Sequence, residues 1–196
     1  MGFMVRLILV RHASTILSEA GRYQGVVDFP LSSRGIDEAR ALGGRLDSLE
    51  IETLWSSDLR RARQTAALAF PGRSVRLDPR LRELHFGAFD GSTYEENLRR
   101  FEGSFSEWLK DPRSTDPPGG ESLGELEARV GAWLAEVAHG PVALRDPLHV
   151  GVTHGGVIRV AVALTRGIGF DRVRPLSVPP CTGVEIDLSS FMAATR

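Results

Sequence analysis

Two short aliphatic runs constrain this chain more than any other feature, because each ends on a histidine. Leu7 to Val10 is followed by Arg11 and His12, and the run from Leu148 closes on Thr153 and His154. Short, continuous apolar runs describe strands covered on both faces. Helical periodicity fills the stretches around them. Ile36, Ala39, Leu42, Leu46 and Leu49 recur at helical spacing, with Ser32 placed to cap the start. "SSDLRRARQTAALAF" puts Leu59, Ala62, Ala66 and Ala69 on one face and stops at Pro71-Gly72. "ESLGELEARVGAWLAEVA" and "GGVIRVAVALTRG" are the later helices. Further strands are expected over 51–57, 74–78 and 183–188.

Strands alternating with helices predict an α/β fold: a three-layer α/β/α sandwich with a mainly parallel central sheet. Residues 1–196 are expected to form a single domain. Residues 92–120 break the alternation with one or two short amphipathic helices and a turn-rich tail, "DPRSTDPPGGES". That stretch is expected to be a small helical insertion serving as a cap or lid.

Composition narrows the function class. The formal net charge is -1, which points away from nucleic acid and membrane surfaces as partners. Lys110 is the only lysine, so arginine supplies almost all the positive charge. Cys181 is the only cysteine, which rules out an internal disulfide and fits a reducing compartment. No stretch approaches the ~20 apolar residues of a membrane span. The amino terminus lacks a basic-then-apolar leader pattern. Cytoplasmic localisation is the expectation; oligomeric state is not readable.

Both strand-end histidines should lie on one rim, because open parallel sheets gather ligand sites beyond the carboxyl ends of their strands. Gly155-Gly156 opens a helix whose free N–H groups favour an anion. Arg11 adds a planar donor fork suited to phosphate oxygens. His85, His139 and His149 show no metal-ligand spacing and no accompanying carboxylate cluster, so no metal and no cofactor are expected. A phosphate-binding P-loop and a dinucleotide fingerprint are both absent.

"LVRHAST", "GRYQGVVDFPLSSRGIDEA", "SSDLRRARQT", "LRELHFGAFDG", "GGESL" and "GVTHGG" occur in that order. Together they resemble the histidine phosphatase superfamily, the phosphoglycerate-mutase-like group, from about Arg6 to Leu188. The resemblance implies a nucleophilic His12 that becomes phosphohistidine. It implies that Arg11, Arg61 and His154 hold the phosphoryl oxygens. Arg61 rather than Arg60 is the family's arginine, because it directly precedes Ala62. Glu83 is implied as the acid that protonates the leaving oxygen and then the base for water. Gln24 and Gly25 match the loop lining the substrate pocket, and Arg22 either contacts substrate or holds that loop.

The chemistry agrees with this carry-over. A phosphomonoester needs several cationic or N–H donors, and its transfer depends on positioning and charge stabilisation. An alkoxide leaving group needs an acid. A nucleophilic imidazole must be neutral, with its second nitrogen donating to a carbonyl to fix the tautomer.

Two positions depart from the family pattern. Ala13 stands where glycine is usual, and Ser18 stands where an asparagine is common. Ser14 and Ser18 are the candidate replacement phosphate contacts. The expected activity is hydrolysis of a small phosphomonoester by a metal-independent histidine phosphatase resembling α-ribazole phosphatases and broad-specificity phosphomonoesterases. The alternatives are mutase-type phosphotransfer and a non-catalytic phospho-ligand binder. A binder is expected to have lost the nucleophile or the acid, whereas His12 and Glu83 are both present.

Overall fold

The computed structural model describes residues 4–46, 48–142, 146–189 and 191. Five strands form one sheet: β1 (Arg6–Arg11), β2 (Thr53–Ser56), β3 (Val75–Leu77), β4 (Leu148–Thr153) and β5 (Gly183–Asp187). Their order is β3-β2-β4-β1-β5. All pairings are parallel except β1 with β5. The two aliphatic runs of the sequence therefore lie side by side at the middle of the sheet. Every residue of β4 is buried, as a central strand covered on both faces requires.

Eight α-helices occur among the described residues: α1 (Ile16–Glu19), α2 (Ser33–Leu46), α3 (Arg60–Ala69), α4 (Tyr94–Arg100), α5 (Glu102–Lys110), α6 (Leu123–His139), α7 (Gly155–Arg166) and α8 (Phe170–Val173). Strand alternation divides them into two layers. Val10, Val150 and Val152 pack with Leu42 of α2 and Ala62 and Ala66 of α3. Leu7 and Leu9 pack with Trp133 and Leu134 of α6 and Ile158 and Ala161 of α7. The result is the three-layer α/β/α sandwich with a mainly parallel sheet.

Close packing explains the glycine within β4. A Cβ at Gly151 would stand 2.8 Å from Leu9 Cδ2 and 3.4 Å from the Trp133 ring. The missing side chain lets the indole of α6 lie directly against the sheet.

Local signals set the helix ends. Ser32 Oγ accepts the Gly35 N–H at 3.1 Å, so it caps α2 as its chemistry predicts. The helix ends at Leu46 rather than reaching Leu49. Leu49 N–H instead donates to Leu46 O in a turn. The strand expected over 74–78 shrinks to the edge strand β3, of which Arg76 and Leu77 are exposed. Within 92–120 the two helices α4 and α5 form. Thr93 and Glu96 close a capping box at the start of α4. Among the described residues no helix is long and apolar enough to cross a membrane.

Candidate active site

Register brings the two histidines together. Arg11 pairs with Thr153 in the β1–β4 ladder, so His12 and His154 each begin one residue beyond it. His12 N–H donates to Thr153 O at 2.8 Å, extending the pairing past the strand ends. The two imidazole centroids are 5.0 Å apart. Neighbouring β2 ends at Ser56, opposite Val152 of β4. Ser57 thereby reaches the same rim, and its Oγ lies 2.9 Å from His154 Nε2. Three adjacent strands thus deliver three polar side chains to one place.

His12 has a defined tautomer. Its Nδ1 lies 2.8 Å from Ala13 O and must donate, because a carbonyl can only accept. The lone pair is then on Nε2, which accepts the Arg61 Nε–H at 3.3 Å. Burial and the nearby Arg61 guanidinium hold the His12 pKa well below its usual value. His154 shifts the same way for the same two reasons. Both rings are neutral at pH 7. His154 Nδ1 is buried without a protein partner.

Arg61 is fully buried in the first turn of α3. Its guanidinium donates to Val27 O at 3.2 Å, Gln24 O at 3.1 Å and Gly25 O at 2.6 Å, as well as to His12. Burial lowers its pKa to about 10, with Glu83, Asp28 and Asp90 opposing the shift. It stays charged at neutral pH. Arg11 donates to Val178 O at 2.7 Å, and its Nε is buried without a partner.

Glu83 follows the short 3-10 turn Pro79–Leu81. Its carboxylate accepts Leu84 N–H at 3.0 Å and Gly156 N–H at 3.0 Å, the latter from the first turn of α7. A Cβ at Gly156 would stand 2.2 Å from Glu83 Oε1, so this contact depends on the glycine. Gly155, just before it, packs beside the Arg159 and Arg11 guanidiniums. Arg129 of α6 holds the segment from behind. It donates to the carbonyls of Arg80, Arg82 and Glu83 while paired with Glu121.

The pocket loop is anchored by a residue that the sequence did not single out. Asp90 accepts the N–H groups of Gly25 and Val26. The carbonyls of that same loop receive Arg61. Gly25 has no room for a side chain, since a Cβ would lie 2.3 Å from Leu84 O. Gln24 Oε1 accepts the Thr15 hydroxyl at 2.7 Å, and its Nε2 is buried without a partner.

The remaining expected contacts are occupied within the protein. Ser18 Oγ donates to Thr15 O and accepts Thr15 N–H, completing a capping box on α1. Ser14 donates its hydroxyl to Glu38 at 3.0 Å. Arg22 forms a two-pronged bond to Glu96 and donates to Gly91 O, so it ties the loop to α4. Ala13 replaces glycine without strain, because Cys181 is the sole non-glycine residue with positive φ among those described. Its N–H donates to Thr65 Oγ1 at 3.0 Å. Ser57, Thr65, Asp90 and Arg129 were not legible as site residues, since each acts through a contact distant in sequence. Among the described residues, no three His, Cys, Asp or Glu side chains are grouped to hold a metal ion.

The family model of the histidine phosphatase superfamily (branch 1) matches residues 7–191. The chain belongs to this superfamily. "Phosphoserine phosphatase 1" of Hydrogenobacter thermophilus is 35% identical over 136 residues, covering 68% of this chain and 64% of that protein. A "Probable phosphoglycerate mutase GpmB" of Salmonella choleraesuis is 33% identical over 186 residues, covering 94% of this chain and 85% of that protein. The crystal structure of the α-ribazole phosphatase from Shigella flexneri superposes with a TM-score of 0.84 at 27% identity, covering 93% of this chain and 90% of that one. Superfamily relatives thus carry both phosphatase and mutase names.

Proposed function

We propose that this chain is a metal-independent phosphomonoester hydrolase acting on a small phosphorylated metabolite through a phosphohistidine at His12. The observation that carries the reading is the His12 tautomer: Nδ1–H bound to Ala13 O, and the Nε2 lone pair turned toward a buried guanidinium. In the first step Arg61 turns its Nε–H hydrogen bond from His12 Nε2 to a phosphoryl oxygen, the freed Nε2 lone pair attacks phosphorus, and the bond from phosphorus to the leaving oxygen breaks. Glu83 gives its proton to that oxygen, so the product leaves as a neutral alcohol. In the second step Glu83 takes a proton from water. The resulting oxygen attacks phosphorus, the phosphorus–nitrogen bond breaks, and His12 departs neutral.

Charge stabilisation comes from Arg61, Arg11 and His154. Three of the buried polar atoms without protein partners, Arg11 Nε, Gln24 Nε2 and His154 Nδ1, belong to residues assigned to this site. Buried donors are rarely left unpaired, and phosphoryl oxygens supply acceptors for them. Ser57 Oγ accepts Leu59 N–H at 3.3 Å, and in this scheme its hydroxyl hydrogen donates to His154 Nε2, 2.9 Å away. The neutral ring then carries its proton on Nδ1 as a donor. Ser18 and Arg22 keep structural tasks in this scheme, and Gly155 gives the phosphoryl group close access to α7.

Residues 92–120 act as the lid. Trp108 and Leu109 of α5 wall the cavity next to Glu83, and the Arg22–Glu96 pair joins the lid to the pocket loop. Cytoplasmic residence is part of the proposal.

Hydrolysis of p-nitrophenyl phosphate tests the reading. Turnover is expected to persist in EDTA and to vanish in His12→Asn. Loss in EDTA with recovery on adding a divalent ion contradicts the metal-independent scheme. The mutase name of one relative motivates the second reading. Isomerisation of 3-phosphoglycerate far outpacing phosphate release would favour it.

A further inference from the structure

A cavity of about 360 Å³ opens directly beside Glu83 and Gly156. Its size is within the range of small-ligand pockets. Tyr23, Phe86, Trp108 and Leu126 give it a mostly apolar wall. The aromatic members pack edge to face, with Tyr23–Phe86 centroids 5.1 Å apart and Phe86–Trp108 centroids 5.9 Å apart. This wall comes from the pocket loop, the Glu83 segment, α5 and α6, so several packed elements fix its shape.

Arg159 and Arg174 line the same cavity. Arg159 is four residues beyond Gly155 on α7 and therefore shares its face. Its Nε donates to Leu176 O at 3.1 Å. Arg174 follows α8 and is exposed. Neither arginine forms an ion pair with a described residue. Two cations without a protein counter-charge border one apolar hollow next to the acid.

We infer that the leaving alcohol of the substrate combines an apolar, ring-sized body with a second anionic group, a carboxylate or a phosphoryl-type group, which Arg159 and Arg174 receive. This rests on the phosphatase reading above. The apolar wall takes the body as it leaves water, and the two guanidiniums select for the added charge. Both events occur on the leaving-group side, because the cavity adjoins Glu83.

Matched synthetic substrates test this: 4-methylphenyl phosphate, 4-(carboxymethyl)phenyl phosphate and 4-(phosphonomethyl)phenyl phosphate. The wild type is expected to favour one or both anionic compounds over the methyl compound by about tenfold or more in kcat/KM. A larger gain for one of them identifies which anion fits. Arg174→Gln, and the Arg159→Gln/Arg174→Gln double variant, should erase the preference. Arg174→Gln should leave turnover of the methyl compound within about threefold of wild type, as expected for an exposed group away from the reacting atoms. An acyclic partner, 3-phosphonooxypropanoate, keeps the carboxylate without the ring and should show a KM about tenfold higher than the carboxymethyl compound.

Equal kcat/KM across the three aryl compounds, or a preference that survives in the double variant, overturns the anionic half. Equal KM for ring and acyclic carboxylates overturns the apolar half. Absence of turnover with every compound instead overturns the phosphatase reading, and this inference with it.

Discussion

Arg61 Nε–H meets His12 Nε2 at 3.3 Å, with both side chains buried. A cation beside a neutral imidazole keeps the ring unprotonated and holds its lone pair toward the guanidinium. A developing negative charge on phosphoryl oxygens beside Nε2 would therefore form next to a fixed positive charge. Arg61→Ala should lower kcat/KM by on the order of 10²–10³. Arg61→Lys should recover little, because one ammonium cannot reach three loop carbonyls and the imidazole together. Steady-state kinetics on p-nitrophenyl phosphate decide this, and wild-type rates in either variant would contradict it.

Asp90 acts one contact further out. It grips Gly25 and Val26, and the carbonyls of the same loop grip Arg61. Asp90→Ala should lower kcat by about 10–10² while KM moves less, since a small misplacement of a catalytic group is costly. Combined with Arg61→Ala it should add little further loss, because both changes remove one function. Additive losses in the double variant would show that Asp90 acts independently of Arg61.

Two glycines separate folding from chemistry. At Gly25 an added Cβ meets backbone, Leu84 O at 2.3 Å and Phe86 N at 2.9 Å. Gly25→Ala should cost about 1–3 kcal/mol of stability and also lower activity. At Gly156 the collision is with the Glu83 carboxylate, the movable end of a side chain. Gly156→Ala should retain a near-wild-type melting temperature while kcat falls, because the Glu83 carboxylate is displaced. Thermal melts beside kinetics of the two variants check the contrast. A large stability loss with unaltered kcat in Gly156→Ala would contradict it.

Some of this site was legible in the sequence, and the reason is local. Strand-end histidines announce themselves, because each closes an aliphatic run and parallel strands align their carboxyl ends. The capping box that occupies Ser18 was also within reach, since Thr15 and Ser18 stand at the spacing a cap requires. The resemblance to the family's asparagine position drew attention to a phosphate contact instead. Arg22 is different: its partner Glu96 is on α4, and no local pattern links the two. Asp90, Arg129 and Ser57 likewise gain their meaning from packing. Leu49 fits the helical period of α2 but lies past its end, where periodicity carries no information about termination.

Stability should fall on the acid side. His12 and His154 are buried with folded pKa values well below 6.5. The unfolded chain binds their protons below about pH 6.5, whereas the folded chain does not. Their neutral burial therefore costs nothing in protonation above that pH, and stability drops as pH falls from there toward the folded values. Each ring contributes up to about 1.4 kcal/mol per pH unit in that window. Chemical denaturation between pH 7.5 and 5.5 should show this slope, and a His12→Asn/His154→Asn variant should have a shallower one. Identical slopes would contradict the assignment of neutral buried rings.

Turnover should pass through a bond between phosphorus and His12 Nε2. Rapid quenching after mixing the enzyme with radiolabelled phosphomonoester measures it most directly. Label is expected on the protein that is labile in acid and stable in alkali, that maps to the peptide containing His12, and that is lost in His12→Asn. Efficient hydrolysis with no labelled protein at any quench time, or with label on another residue, would contradict it.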